Sequence, residues 1–165
     1  KNASWFIGGR GIAAEIYWDE VPPETGAFDE NNRLIFALGP MAGIPALGTS
    51  RWGVFGKSPL PALDKFCYGN LGGRWGAELK FAGYDGIVVQ GKSEKPVYLL
   101  ISDGKVKLKD ASATWGKGAT PTRDILKAEL GDKVRVVAIG HRALAIPCDV
   151  GDSDQVTSTV EKTVA

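Results

Sequence analysis

Histidine and cysteine are scarce in this sequence, which has 165 residues with one His and two Cys. The cysteines are Cys67 and Cys148, the histidine is His141, and no CxxC, paired His or HExxH motif occurs. Because structural zinc takes four such ligands and iron–sulfur clusters take several cysteines, a self-contained zinc or iron–sulfur site is excluded. A catalytic Cys–His pair would need His141 to meet a cysteine in the fold, and a buried structural cysteine is the commoner role.

Excess charge and long apolar runs are also lacking. The 20 Lys and Arg residues balance 19 Asp and Glu residues, for a net charge of +1. This balance gives no excess of positive charge that would attract duplex nucleic acid or an anionic membrane. The longest apolar runs, residues 34–38 and 134–139, are far shorter than the roughly 20 residues of a membrane span. We therefore expect no nucleic-acid or membrane partner. A cytoplasmic setting is expected because no secretory signal or disulfide pattern is found.

Glycine, in contrast, is abundant, at 22 of 165 residues, about twice the average proportion. Two loops repeat Gly-Gly-Arg before a helix start: Gly8-Gly9-Arg10-Gly11 and Gly69-Asn70-Leu71-Gly72-Gly73-Arg74. Glycine lets the backbone approach a ligand, and amides at a helix N-terminus together with an Arg side chain favour an anion. The pattern indicates a phosphate-type site, with Arg10 and Arg74 as candidate contacts; tight turns with solvated Arg side chains are the alternative.

The first glycine loop also loosely matches a dinucleotide-binding fingerprint, Gly9-x-Gly11-x-x-Ala14. Acidic residues follow about 20 positions later, as that motif requires. They fall in a polar turn, however, and Pro22-Pro23 cuts the preceding helix short. The fingerprint is therefore disfavoured as a dinucleotide site.

Asn70 in the second loop has two interpretations. Asn tolerates the left-handed conformation of a turn, so a purely conformational role is one of them. The other is an oxygen ligand facing a Mg²⁺ ion between phosphates, since Mg²⁺ prefers oxygen donors.

Hydrophobic periodicity predicts an α+β fold with a mostly antiparallel sheet and few short helices. A β-hairpin is expected at residues 97–102 and 105–109 around Asp103-Gly104. A third helix should begin with Thr120 as N-cap and Pro121 as its first residue, and should end at Gly131. The other predicted helices cover residues 11–20 and 75–81, and the other strands cover residues 33–38, 51–56, 63–68, 86–90 and 134–139.

Five sequence blocks in a fixed order carry a resemblance that no single motif provides. Together they resemble the N-terminal domain of the aldehyde:ferredoxin oxidoreductases, over about residues 5–140. Long ordered blocks are more specific than an isolated glycine loop. The blocks are residues 33–43 (RLIFALGPMAG), 56–60 (GKSPL), 70–85 (NLGGRWGAELKFAGYD), 87–99 (IVVQGKSEKPVYL) and 110–116 (DASATWG).

The resemblance implies a tungsten or molybdenum bis-pterin oxidoreductase that oxidises aldehydes to acids and passes the electrons to ferredoxin. It also implies that Arg51 contacts the cofactor and that Asn70 reaches the Mg²⁺ between the pterin phosphates. The glycine loop then binds the pterin phosphates. The expected cofactor-binding residues are Arg51, Asn70, Leu71, Gly72, Gly73 and Arg74.

The resemblance also implies what this sequence does not contain. The family's helical domains, with the cluster cysteines and the catalytic acid, are missing, so we expect no catalytic residue, no iron–sulfur cluster and no catalysis by this chain alone. Residues 1–140 are expected to form a partial domain. The chain begins with Lys1 rather than Met, which suggests a trimmed chain or a fragment.

Residues 141–165 resemble a different family, the short-chain dehydrogenases. In that family the Asp at the position of Asp149 contacts the adenine of NAD(P), but no matching glycine fingerprint precedes it here. We expect instead a strand and a helix that pack on the same domain. The sequence then looks like a join of two gene fragments near Gly140.

Two functions follow from these expectations. One is a pterin-binding half-site that needs another chain for chemistry, and the other is a structural or interaction protein without cofactor. In both cases a homodimer is expected, because a truncated sheet would otherwise expose unpaired strand edges and twofold dimers are the commonest oligomers.

Overall fold

The structure is a computed structural model that describes residues 5–46, 48–60, 65–102 and 104–138. Three helices and six strands lie in this part of the chain. In chain order they are α1 (Gly9–Glu20), β1 (Leu34–Leu38), β2 (Trp52–Lys57), β3 (Phe66–Leu71), α2 (Trp75–Phe81), β4 (Gly86–Val89), β5 (Val97–Ser102), β6 (Lys105–Asp110) and α3 (Ala119–Leu130). The predicted α+β class, with antiparallel strands and short helices, is confirmed.

Four strands form one antiparallel sheet in the order β3-β2-β1-β4. Trp52 at the start of β2 lies opposite Leu38 at the end of β1 and opposite Leu71 at the end of β3. The loops that follow β1 and β3 therefore leave the sheet at the same end, which we call the Trp52 end.

The central strands β1 and β2 are buried on both faces, with residues alternating between the two as strand geometry requires. On one face Ile35 and Phe55 pack against Ala13 and Tyr17 of α1. Truncating a side chain as buried as that of Phe55 costs about 3–5 kcal/mol. The other face is covered by α2, and its buried cluster consists of Leu38, Ala42, Trp52, Val54 and Leu79.

The predicted hairpin is confirmed as a separate two-stranded sheet, β5–β6. One of its faces is tied to α3, because Tyr98 Oη donates a hydrogen bond to Glu129 at 3.0 Å and Lys109 pairs with the same carboxylate at 3.3 Å. The opposite face exposes Leu99 and Leu108, which lie opposite each other. Ile101 on this same face packs against the Trp52 cluster, so the exposed part of the face is the part around Leu99 and Leu108.

Two sequence predictions about β3 are wrong. The strand was expected at residues 63–68 and runs over Phe66–Leu71, so Asn70 lies in the strand, opposite Gly53, and not in the loop. Gly69 does not end the strand because its backbone stays in register with Val54 of β2. Strand pairing here outweighs the turn preference of glycine.

The predicted start of α3 is also wrong. Gly118 is the N-cap, and Thr120 and Pro121 lie within the first turn. Pro121 fits there because the first turn needs no internal N–H bonds. Gly131 ends the helix with φ 97°, as predicted.

The strand predicted at residues 134–139 is wrong for its described part, since residues 134–138 form no strand. A strand needs a neighbouring edge, and none of the described strands pairs with this segment. Val137 instead packs against the cluster around Trp52. Ile139, His141, Cys148, Asp149 and the segment 141–165 lie outside the described residues. No helix in the described ranges is both long and apolar enough to cross a membrane.

Candidate functional site

The second glycine loop connects β3 to α2 at the Trp52 end of the sheet. The indole Nε1 of Trp52 donates a hydrogen bond to the carbonyl oxygen of Gly72 at 3.3 Å. Gly73 has φ +83°, a conformation that favours glycine, and Arg74 is the N-cap of α2. A buried indole on one side and a helix start on the other thus fix the shape of this loop.

Neither packing nor backbone conformation requires a glycine at Gly72. A Cβ built on Gly72 would meet no described atom within 4 Å, and its φ is not in the left-handed range. Gly76, one residue into α2, is the opposite case, because a Cβ there would lie 2.9 Å from Cδ1 of Trp52. The backbone at Gly72 therefore faces open space in which another molecule can approach it closely.

A cleft of about 460 Å³ lies beside this loop. Trp52 and Trp75 form part of its wall, with ring centroids 4.4 Å apart. The rest is contributed by the glycine loop, one side of α3 and residues 134–138. Four cationic side chains line the cleft, and no acidic side chain of the described residues does: the cations are Arg74, Arg123, Lys127 and Arg135.

Arg74 and Arg135 have only a loose acidic partner in the cleft, whereas Arg123 pairs closely with Asp124. Glu78 lies 3.5 Å from Arg74 and 3.9 Å from Arg135, and the Arg74 side chain is 71% exposed. Exposed pairs of this kind contribute about 0–1 kcal/mol. The guanidinium of Arg74 can therefore leave Glu78 for a stronger anion at little cost.

The predicted cofactor-binding residues divide into two groups. Leu71, Gly72, Gly73 and Arg74 all line the cleft. Arg51 and Asn70 do not, although both are exposed at the same end of the sheet, Arg51 directly before β2 and Asn70 one residue before Leu71. By strand alternation Asn70 shares its face with Tyr68, on the side of α1.

Arg10 of the first glycine loop is not at the cleft. Its guanidinium carbon lies 3.6 Å from the centroid of the Tyr68 ring, on the α1 side of the sheet. A cation over an aromatic face is attracted to the ring. Arg10 thus already has a partner that holds it in place.

Sequence reasoning did not find Arg123, Lys127 and Arg135 as site residues. Arg123 and Lys127 are four apart on α3, so helical spacing could have placed them on one face. That this face turns toward the second glycine loop depends on tertiary packing, for which the sequence carries no local signal.

The residues that line the cleft include no His, Cys, Asp or Glu side chain among those the structure describes. The described residues contain no group of three or more His, Cys, Asp or Glu side chains that could hold a metal. The Sγ of Cys67 donates to the carbonyl oxygen of Gly56 at 3.4 Å, and burial raises the pKa of this thiol to about 11. An open glycine backbone and cationic side chains nevertheless fit a ligand that carries phosphate.

Fold and site together define an α+β domain whose second glycine loop borders a cleft lined by four cationic side chains. Comparison with known families makes this specific: residues 1–145 match the family described as aldehyde ferredoxin oxidoreductase, N-terminal domain. The chain belongs to this family, and the resemblance seen in the sequence blocks is confirmed.

Several relatives support the assignment. The tungsten-containing aldehyde ferredoxin oxidoreductase of Pyrococcus furiosus is 42% identical over 139 residues, which are 84% of this chain and 23% of the relative. The Pyrococcus horikoshii enzyme of the same name is 43% identical with the same coverage. The aliphatic sulfonate oxidoreductase WOR-like subunit of Pyrococcus furiosus is 36% identical over 134 residues, 79% of this chain and 21% of the relative.

A solved structure shares the fold. It is the active site complex BamBC of benzoyl coenzyme A reductase with 1,5-dienoyl-CoA, with a TM-score of 0.80 and 44% identity over 84% of this chain and 21% of that one. The chain thus spans between a fifth and a quarter of the length of these relatives. It corresponds to part of an N-terminal domain of a tungsten-enzyme family.

Proposed function

We propose that this chain forms one part of the binding surface for a tungsten or molybdenum bis-pterin cofactor in an oxidoreductase that converts aldehydes to carboxylic acids. The observation that carries the proposal is Gly72, whose backbone is open although neither packing nor conformation requires a glycine there. Family membership supports the tungsten cofactor. When bound, such a cofactor supplies the two-electron redox chemistry, with ferredoxin as the acceptor in the full-length enzymes.

The residues of the chain have distinct roles in this proposal. The backbone amides of Gly72 and Gly73 bind phosphate oxygens, and Arg74 adds a charge-assisted hydrogen bond. The amide oxygen of Asn70 serves as a ligand for Mg²⁺ between the phosphates, which suits the oxygen preference of this ion. Arg51, exposed at the same end of the sheet, neutralises part of the cofactor charge.

No catalytic side chain is assigned to this chain. Catalysis and an iron–sulfur cluster would come from the parts of the relatives that lie beyond its match. We propose a cytoplasmic setting for the same reason as from the sequence, and residues 141–165 as a strand and helix added to the domain.

The direct test is the content of metal and pterin in protein purified without oxygen from a host that makes the cofactor. Tungsten, molybdenum and magnesium are measured by mass spectrometry, and pterin by the fluorescence of its oxidised derivative. We expect stoichiometric pterin with tungsten or molybdenum in the wild type. A wild type with neither metal nor pterin would contradict the proposal.

Asn70→Ala separates the proposed Mg²⁺ ligand from the rest of the site. We expect it to lose most of the magnesium at an unchanged melting temperature, because the Asn70 side chain is exposed. Asn31→Ala, in an exposed turn after α1, is the matched control and should keep its magnesium. Equal magnesium in both variants would remove Asn70 from the site.

A second candidate function is an interaction role as a homodimer without cofactor. The apolar face of the β5–β6 hairpin favours it, since Leu99 and Val106 are 39% and 48% exposed and Leu108 is 68% exposed. A contiguous exposed apolar face of this kind is typical of an interface. In this candidate a second copy of the chain covers the hairpin.

Light scattering tests this second candidate. It is measured at about 100 µM, a concentration at which micromolar association is saturated. A dimer that Leu108→Lys converts to monomer, with Lys107→Glu on the opposite hairpin face as control, would support the interaction role. A wild-type monomer would contradict it.

A further inference from the structure

The cleft beside α3 is more strongly charged than the proposed cofactor loop requires. Of its four cations only Arg74 belongs to that loop; Arg123 and Lys127 come from α3, and Arg135 comes from the segment after it. These side chains are separate in sequence and converge on one cavity of about 460 Å³. That volume is within the range of small-molecule sites, about 300–1,000 Å³.

The positive charges are only partly neutralised. Glu78 serves both Arg74 and Arg135, and Asp124 pairs with Arg123 at 2.8 Å. Lys127 has no ion pair among the described residues. Four cations thus meet two carboxylates, which leaves a formal excess of two positive charges at a concave surface.

The cleft contains a like-charge pair on α3. Arg123 and Lys127 are four residues apart on the helix and both line the cleft, so they form a like-charge pair that repels. Arg74 and Arg135 add further positive charge across the cavity. A concave site lined by one sign of charge attracts the opposite charge, and Arg side chains bind phosphate oxygens in pairs.

We propose that this cleft binds the diphosphate group of a small phosphorylated ligand, such as a nucleoside diphosphate. Arg123, Lys127 and Arg135 neutralise the two phosphates, and Trp75 in the cleft wall provides an aromatic surface for a ring attached to them. The cleft shares its glycine loop with the proposed cofactor site, so the two ligands would compete for one cleft. The inference itself rests on Arg123, Lys127 and Arg135, which lie outside that loop.

Calorimetric titration of the cofactor-free chain with inorganic pyrophosphate and with ADP tests the proposal. We expect saturable binding of both at low salt, weakened as salt is raised. Tighter binding of ADP would identify a nucleotide as the source of the diphosphate, and equal binding would identify the diphosphate group alone. No saturable binding of either probe would overturn the proposal, and the metal and pterin content of the protein would remain a separate result.

The double variant R123Q/K127Q should weaken binding of pyrophosphate about tenfold or more, since two charge-assisted contacts are lost. Its melting temperature without ligand should be close to that of the wild type, because the variant removes both a repulsive pair on α3 and the exposed ion pair of Arg123 with Asp124. K105Q/K107Q on β6 carries the same change in net charge on exposed residues and is the matched control. An equal loss of affinity in this control would show a nonspecific charge effect and overturn the site.

Arg135→Gln is an independent test from another segment. It should also weaken pyrophosphate binding while leaving α3 unchanged. Wild-type affinity in both R135Q and R123Q/K127Q would overturn the proposal.

Discussion

The two glycine loops share the sequence Gly-Gly-Arg at a helix start, with Gly9 and Arg10 already inside α1 and Arg74 as the N-cap of α2, but their glycines have different surroundings. In the first loop a Cβ on Gly8 would lie 3.0 Å from Cδ of Pro40 and 3.2 Å from the carbonyl oxygen of Leu38. In the second loop a Cβ on Gly72 would have no atom of the described residues within 4 Å. Packing and conformation thus both require a glycine at Gly8, whereas neither requires one at Gly72.

The Arg residues that follow differ in the same way. Arg10 lies over the Tyr68 ring at 3.6 Å, whereas Arg74 is 71% exposed and has Glu78 at 3.5 Å. A motif by itself therefore does not indicate a binding site. The second loop is the better candidate for a ligand, because packing does not require its Gly72 and its Arg74 has only a weak ion pair.

Gly8→Ala should give the largest effect on stability. The substitution combines a φ of +143° with a close approach to Pro40 and Leu38, so we expect a loss of about 3 kcal/mol in the free energy of unfolding. Urea denaturation measures it. Gly26→Ala, in open space in a turn, is the control. A loss below about 1 kcal/mol for Gly8→Ala would contradict the packing role of the first loop.

Gly73→Ala tests conformation alone within the second loop. Its φ of +83° is unfavourable for Ala, but a Cβ there has open space. We expect a loss of about 1 kcal/mol by urea denaturation, against less than about 0.5 kcal/mol for Gly72→Ala. Equal losses in the two variants would show that the loop relaxes as a unit.

Arg10→Met and Arg74→Met compare the two cations with similar apolar stems. Loss of the contact with Tyr68 should cost about 0.5–1 kcal/mol in thermal unfolding. Arg74→Met should be close to neutral, since an exposed i,i+4 pair with Glu78 contributes little. A larger cost at Arg74 would mean that this side chain stabilises the fold and is not free for a ligand.

Cys67 reports on β3, the strand that carries the second loop. Burial raises the pKa of its thiol from 9.0 to about 11. The folded state therefore binds this proton more tightly, and the resulting stability is present below pH 9 and is lost as the pH rises toward about 11. At pH 8 alkylation of Cys67, followed by mass spectrometry of its peptide, should be about a hundredfold slower in folded than in urea-unfolded protein. Similar rates would show that β3 opens readily.

Much of the fold could be predicted from the sequence. The Asp103-Gly104 signal with alternating residues located the hairpin, the apolar spacing located α1, and the position after the second glycine loop located α2. These signals are local, so the elements they mark can be predicted without knowledge of tertiary contacts. The errors at Asn70, Thr120 and residues 134–138 arose where pairing partners and helix starts are chosen by packing.

The site could be predicted only in part. The second loop was found because glycine next to Arg is a local signal, and Leu71 to Arg74 do line one cleft. That Asn70 lies on the α1 side of the sheet follows from its place in β3, which the sequence did not show. The convergence of Arg123, Lys127 and Arg135 depends on how α3 packs.

The central claim is that the second glycine loop is open for a cofactor. The most direct measurement is the pterin and metal content of Gly72→Ala beside Gly26→Ala, both purified without oxygen from a cofactor-producing host, together with their melting temperatures. Neither Cβ has a contact within 4 Å in the described structure, so both variants should melt like the wild type. We predict that Gly72→Ala loses the cofactor and Gly26→Ala retains it. Full cofactor content in Gly72→Ala would contradict the account.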